Sequence, residues 1–110
     1  MEHTINIDIP RTLKFNFAAF AFLQDVEPAV FTKIGRGNLN VIRLLTLAGL
    51  RHEKKYLPSE VDAMFDTFME NGGKIAALEA AIIVALNEST FVKSMTPDPE
   101  PKVEAEEPKN

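Results

Sequence analysis

The chain has 110 residues, 12 Lys plus Arg against 16 Asp plus Glu, and a formal net charge of -4. At about 100–200 residues per domain this length allows one domain, and 45% apolar residues suffice for a packed core. The absence of cysteine excludes disulfides, thiolate zinc sites and Cys nucleophiles. Two histidines, His3 and His52, are too few for a His-based metal or catalytic cluster, and the acidic balance argues against a nucleic-acid binder.

Thr4-Ile5-Asn6-Ile7-Asp8-Ile9 alternates with period two and places Ile5, Ile7 and Ile9 on one face of a strand. Pro10-Arg11 supplies a turn, Thr12-Leu13-Lys14-Phe15 alternates again, and a hairpin over residues 4–15 is expected. Asn16 is a candidate N-cap for a helix over about residues 17–25, which Glu27-Pro28 ends because the residue before proline disfavours helical geometry. Val30, Phe31 and Ile34 allow one more helical turn before Gly35-Arg36-Gly37 breaks it.

Asn38 is a second candidate cap, for a helix over about residues 39–51 with Leu39, Ile42, Leu45 and Ala48 inward and Asn40, Arg43 and Thr46 toward water. A third helix opens at Ser59, with Asp62 three residues on as a variant of the capping box. It carries the stripe Val61, Met64, Phe65, Phe68 and Met69, and it stops at Gly72-Gly73. A fourth runs over about residues 74–93, with Ile75, Leu78, Ala81, Ile82, Ala85 and Leu86 on one side and Ala76, Ala80, Ile83 and Val84 on the other.

Residues 96–110 hold four of the seven prolines, five acidic residues and two basic ones. Such a composition buries too little to offset the entropy of ordering. The expected architecture is α+β: an N-terminal β-hairpin packed on a bundle of three to four helices over residues 1–95, then a disordered acidic Pro-rich tail. The first residues lack the basic and apolar regions of a signal peptide, and the longest apolar stretch, residues 75–86, falls short of the ~20 residues that span a bilayer. The expectation is a cytoplasmic protein with no membrane and no nucleic-acid partner.

Motifs for chemistry are sparse. Gly35-Arg36-Gly37 lacks the rest of a phosphate-binding loop and reads as a plain loop. Asp62, Asp66 and Glu70 form a carboxylate column at i, i+4, i+8, the pattern of a solvated acidic face or of a docking surface for a basic partner. His52 is explained by the end of a helix and Ser59 by capping, so no catalytic, metal or cofactor site is expected. The surplus is hydrophobic: the segments 17–26 and 74–87 are both apolar over most of their circumference. Such a surplus is either covered within the fold or left as a patch for self-association or a hydrophobic partner. The face Ala76, Ala80, Ile83 and Val84 is the candidate partner-binding or oligomer interface, because small residues at i, i+4 let another helix approach closely.

The order of these features carries a resemblance. An Ile-rich hairpin runs into Leu13-Lys14-Phe15-Asn16-Phe17-Ala18-Ala19-Phe20. After it come the helix Asn40-Val41-Ile42-Arg43-Leu44-Leu45-Thr46-Leu47-Ala48-Gly49-Leu50, the helix start Leu57-Pro58-Ser59-Glu60-Val61, and an Ala/Ile-rich last helix ending near Phe91. Over about residues 4–92 this resembles the tail assembly chaperones of long-tailed phages, prophages and gene transfer agents. The resemblance implies a non-enzymatic protein of the host cytoplasm that binds the tape measure protein, keeps it soluble and supports tail-tube polymerisation around it. It also implies contact with the tail tube protein, absence from the finished particle and a longer form made by ribosomal frameshifting. The other reading of the same surface is a small regulatory or adaptor module that docks one folded partner.

Overall fold

The computed structural model describes residues 3–95, and the expected tail at 96–110 lies outside the described residues. Strand β1 (His3–Asn6) pairs antiparallel with β2 (Pro10–Leu13), His3 opposite Leu13 and Asn6 opposite Pro10. Thr4 and Thr12 face each other with hydroxyls 3.1 Å apart, a favourable cross-strand pair. The turn is not Pro10-Arg11 as expected but Ile7-Asp8-Ile9, and Pro10 opens β2. Both strands of a two-stranded sheet are edges, so a proline at the start of one costs no interior ladder bond. Asp8 shapes this turn by accepting the Ile9 N–H at 2.9 Å. The three isoleucines consequently part company: Ile7 is buried, Ile5 half-buried and Ile9 exposed.

Both asparagine caps form. Asn16 accepts from the Ala19 N–H at 3.0 Å and opens α1 (Phe17–Val26); Asn38 accepts from Val41 at 3.1 Å and opens α2 (Leu39–Leu50). Between them Val30–Thr32 makes one 3-10 turn, which seats Val30 in the core. Gly35 and Gly37 then take positive φ of 81° and 71°, and the Gly37 N–H reaches the Glu79 carboxylate at 3.2 Å. That glycine segment is a loop, bound to a helix.

Helix α3 (Pro58–Glu70) starts two residues earlier than the Ser59 cap implied. Pro58 occupies the first helical position, where its missing N–H costs nothing, so Leu57 becomes the cap residue. Glu60, not Asp62, reaches back to the Leu57 N–H at 2.8 Å. That hydrogen bond holds the Glu60 carboxyl below its ordinary pKa. At the other end Gly72 adopts φ of 90°, and the Gly72 and Gly73 N–H groups bond to the Met69 and Phe68 carbonyls, a Schellman closure. The expected fourth helix is two: α4 (Ile75–Asn87) and α5 (Thr90–Met95). Ser89, buried between them, accepts the Val92 N–H at 3.2 Å and restarts the helix in a new direction. The expected α+β architecture, a hairpin packed on a helical bundle, is the one that forms, and the split of the fourth helix brings the α-helices among the described residues to five.

α2 is the centre, packed against α1, α3, α4 and β2. Ile42, Leu45, Ala48 and Leu50 are essentially inaccessible. Thr46, expected on the water side, is fully buried, its hydroxyl donating to the Ile42 carbonyl at 2.9 Å. Leu39, expected inward, is exposed on the outermost turn. Gly49 lets the hairpin close on this helix: a Cβ there would lie 3.0 Å from Leu13 Cδ2 and 3.2 Å from Phe15 Cζ. The Lys14 N–H donates to the Gly49 carbonyl at 2.9 Å across that contact, and His52 Nε2 donates to the Thr12 carbonyl at 2.8 Å nearby.

Candidate functional site

Apolar surplus collects where α1, the 3-10 turn and α5 meet. Phe20 of α1 is the hub and is itself 3% exposed. Its ring stacks on Phe91 of α5 at 4.2 Å between centroids and on Phe31 at 5.9 Å, and it tilts against Phe15 at 6.2 Å on the core side. Phe17 meets Phe91 edge-on at 5.7 Å, an arrangement favoured by the ring quadrupoles. Over this floor lies a cavity of about 370 Å³, walled by Ala21 and Gln24 of α1, by Phe31, and by Val92 and Met95 of α5. Gln24 is the sole polar side chain in its lining.

The rim is open. Phe17 is 74% exposed, Met95 69% and Phe31 43%, so three large apolar side chains border one cavity. Local sequence dictates part of this. The Asn16 cap fixes where α1 begins, which puts Phe17 at its first, outermost position, and Phe91 and Met95 are spaced i, i+4 on α5. The rest depends on the break at Ser89, without which Phe91 would not fold back over Phe20.

None of Ala76, Ala80, Ile83 and Val84 lines that groove. Ala76, Ala80 and Val84 are exposed on α4, whereas Ile83 is half-buried, its Cδ1 3.8 Å from where a Cβ on Gly35 would stand. The opposite face of α4, with Leu78, Ile82, Ala85 and Leu86, is buried. Sequence reasoning missed exposed Phe31 and Met95 and half-buried Phe91 as residues of one groove. The signal was the apolar circumference of segment 17–26, whose unburied side has to face something.

Charged groups elsewhere are used for fastening. The Arg11 guanidinium forks onto Asp8 at 2.7 and 2.8 Å and donates to the Tyr56 hydroxyl at 3.1 Å, while Tyr56 donates to Glu53 at 3.1 Å. The chain of contacts ties the hairpin turn to the linker after α2. The bonded Arg11 guanidinium keeps the Asp8 carboxyl below its usual pKa, against the opposing effect of partial burial, and Asp8 in turn raises that of Arg11. Lys33 likewise lowers Glu27 across a 2.9 Å contact. In the carboxylate column, Asp62 is gripped by Arg43 of α2 at 2.7 and 3.1 Å and serves helix packing. No group of three or more potential metal ligands forms among the described residues, and no helix there is long and apolar enough to cross a membrane.

No known family model matches the chain, and no curated protein or solved structure is significantly similar to it. The open aromatic groove is the surface on which a function has to be argued.

Proposed function

We propose that this protein is a tail assembly chaperone of a long-tailed phage or prophage. In this reading it binds the tape measure protein in the host cytoplasm, keeps it soluble and supports polymerisation of the tail tube around it. The observation that supports this is the groove of Phe17, Phe20, Phe31, Phe91 and Met95, an apolar surface beside a core already closed by α2. A holdase needs such a surface to accept an apolar helical client, and it needs solubilising charge, which the acidic composition of residues 96–110 provides. In this reading the exposed face Ala76, Ala80 and Val84, with half-buried Ile83, is a second contact, for a client helix or another copy.

The test is co-expression with the tape measure protein that this reading requires in the same gene cluster. Wild type should carry it into the soluble fraction as a complex, and Phe17→Ser with Met95→Ser should leave it aggregated. A tape measure protein that is equally soluble without the chain, or soluble and unassociated with it, would defeat the reading. Purified particles should lack the chain by mass spectrometry.

A further inference from the structure

We propose that a second groove, where the C-terminal parts of α1 and α2 meet the linker into α3, docks an amphipathic helix of a protein partner whose apolar face is edged by carboxylates. The inference goes beyond the chaperone reading and does not need it. Phe22 and Val26, spaced i, i+4 on α1, form one ridge, and Leu44 and Leu47, spaced i, i+3 on α2, form the other. Between them lies a hollow of about 260 Å³, lined also by Tyr56 and Pro58. Two ridges with a furrow between them are the seat into which a third helix packs. The hollow is smaller than the roughly 300–1,000 Å³ of sites that enclose a small ligand, so it suits the anchor side chains of a larger partner. Val26 is 53% exposed, which leaves the rim apolar and open.

Charge chooses the occupant. Arg51 and Lys55 are the charged side chains of the lining, and no carboxylate joins them there. Neither has a carboxylate partner among the described residues. The acids close by in sequence are engaged elsewhere: Glu53 accepts from the Tyr56 hydroxyl at 3.1 Å, and Glu60 pairs with Lys54 at 3.4 Å. Asp25, beside Val26, is exposed outside the lining. The Arg51 guanidinium lies over the Phe22 ring, its Cζ 4.4 Å from the centroid. The ring holds the planar group in place and leaves its N–H edge for an acceptor. The dipole of α2 accounts for one cation at its C-terminus, but not for two beside an apolar furrow.

A helix that lays leucines between the ridges brings its flanking positions to the rim. Glutamate or aspartate there meets Arg51 and Lys55, and lysine is repelled. The α1–α5 groove has no charged side chain in its lining and makes no such choice. A second copy of this chain is the poorer occupant, because a two-fold contact through the same patch would set these cations against their own copies.

The test is fluorescence anisotropy of labelled model helices with the full chain. The helices share one leucine face and carry glutamate, glutamine or lysine on both its flanks. At low salt the glutamate helix should bind about fivefold more tightly than the glutamine helix, the effect of two exposed ion pairs, and the lysine helix more weakly than either. The ratio should approach one at about 0.5 M salt, where screening acts within a few ångströms. Arg51→Gln with Lys55→Gln should abolish it. Should that pair disturb the circular dichroism, Lys55→Gln alone, at an exposed site, should lower it to about twofold. Val26→Ser should weaken all three helices about fivefold, whereas Leu39→Ser, exposed at the other end of α2, should change none.

Equal affinities at low salt, or a ratio that survives both glutamine substitutions, would overturn the inference. So would a loss that follows Phe17→Ser rather than Val26→Ser, because the helices would then sit in the α1–α5 groove. A dimer in sedimentation that Val26→Ser dissolves would assign the furrow to a second copy. Tighter binding after Glu104, Glu106 and Glu107 are replaced by glutamine would assign it to this chain's own acidic segment. Either of these also overturns it, and none of the readouts involves a tape measure protein.

Discussion

Helices α2 and α4 invert what their compositions imply. α4 is almost uninterrupted Ala, Ile, Leu and Val, yet it buries one face and leaves Ala76, Ala80 and Val84 exposed. α2 carries Asn40, Arg43 and Thr46, yet its second half is buried all round, Thr46 included. The difference is the number of neighbours. α2 is wrapped by α1, α3, α4 and β2, and Gly49 lets the hairpin approach its backbone directly. Centrality thus belongs to the helix that others can reach closely, and apolar content does not by itself assign it. α1 follows α4 in kind: Phe20 and Leu23 are inside, and Phe17 and Val26 are outside.

The contrast is broken most sharply by truncating one leucine. Leu45→Ala, at a site 1% exposed, should cost about 3 kcal/mol, whereas Val84→Ala on α4 should stay within about 0.5 kcal/mol. Urea melts of the two variants decide it, and similar losses would mean that α4 is as enclosed as α2. Gly49→Val should come next, at about 2 kcal/mol, because its side chain meets Leu13 and Phe15 with no free space. Hairpin chemical shifts should move in that variant, while those around Gly72 stay fixed.

The fastening of the hairpin gives a smaller effect with a pH signature. The folded pKa of Asp8 lies below its unfolded value, so the Arg11 pair contributes stability above about pH 4 that is lost as pH falls through the folded pKa. Asp8→Asn should therefore cost about 1 kcal/mol at pH 7, and the gap from wild type should narrow below pH 4. A gap that widens on acidification would contradict the pairing. The smallest change is expected at Thr46→Val, within about 0.5 kcal/mol. Its hydroxyl bonds a carbonyl of its own helix, and removing it takes away a buried polar group along with that bond. A melt shifted by more than about 4 °C would show that Thr46 has a further role.

Elements whose cause is local were legible in advance. Asn16 and Asn38 cap because each supplies an oxygen within three residues of a free N–H, and Gly72-Gly73 ends α3 because a left-handed residue closes it. Near misses arose where two local signals competed. Ser59 looked the better cap until Pro58 took the first helical position, and Pro10 looked like a turn until Asp8 and Arg11 built one upstream of it. The face on α4 was legible as an apolar helix side. The aromatic groove was not, since its residues come from positions 17, 31, 91 and 95, which no periodicity relates.

Hydrogen-bonding groups and side-chain spacing act over a few residues, so helix starts, the Schellman stop and the existence of a hairpin follow from the chain read in order. Which helix is buried on every side, that Thr46 turns inward, and that Phe91 folds over Phe20 after the break at Ser89 depend on contacts between distant segments. Those contacts are set by shape and close approach, as at Gly49, and only the packed molecule satisfies them together.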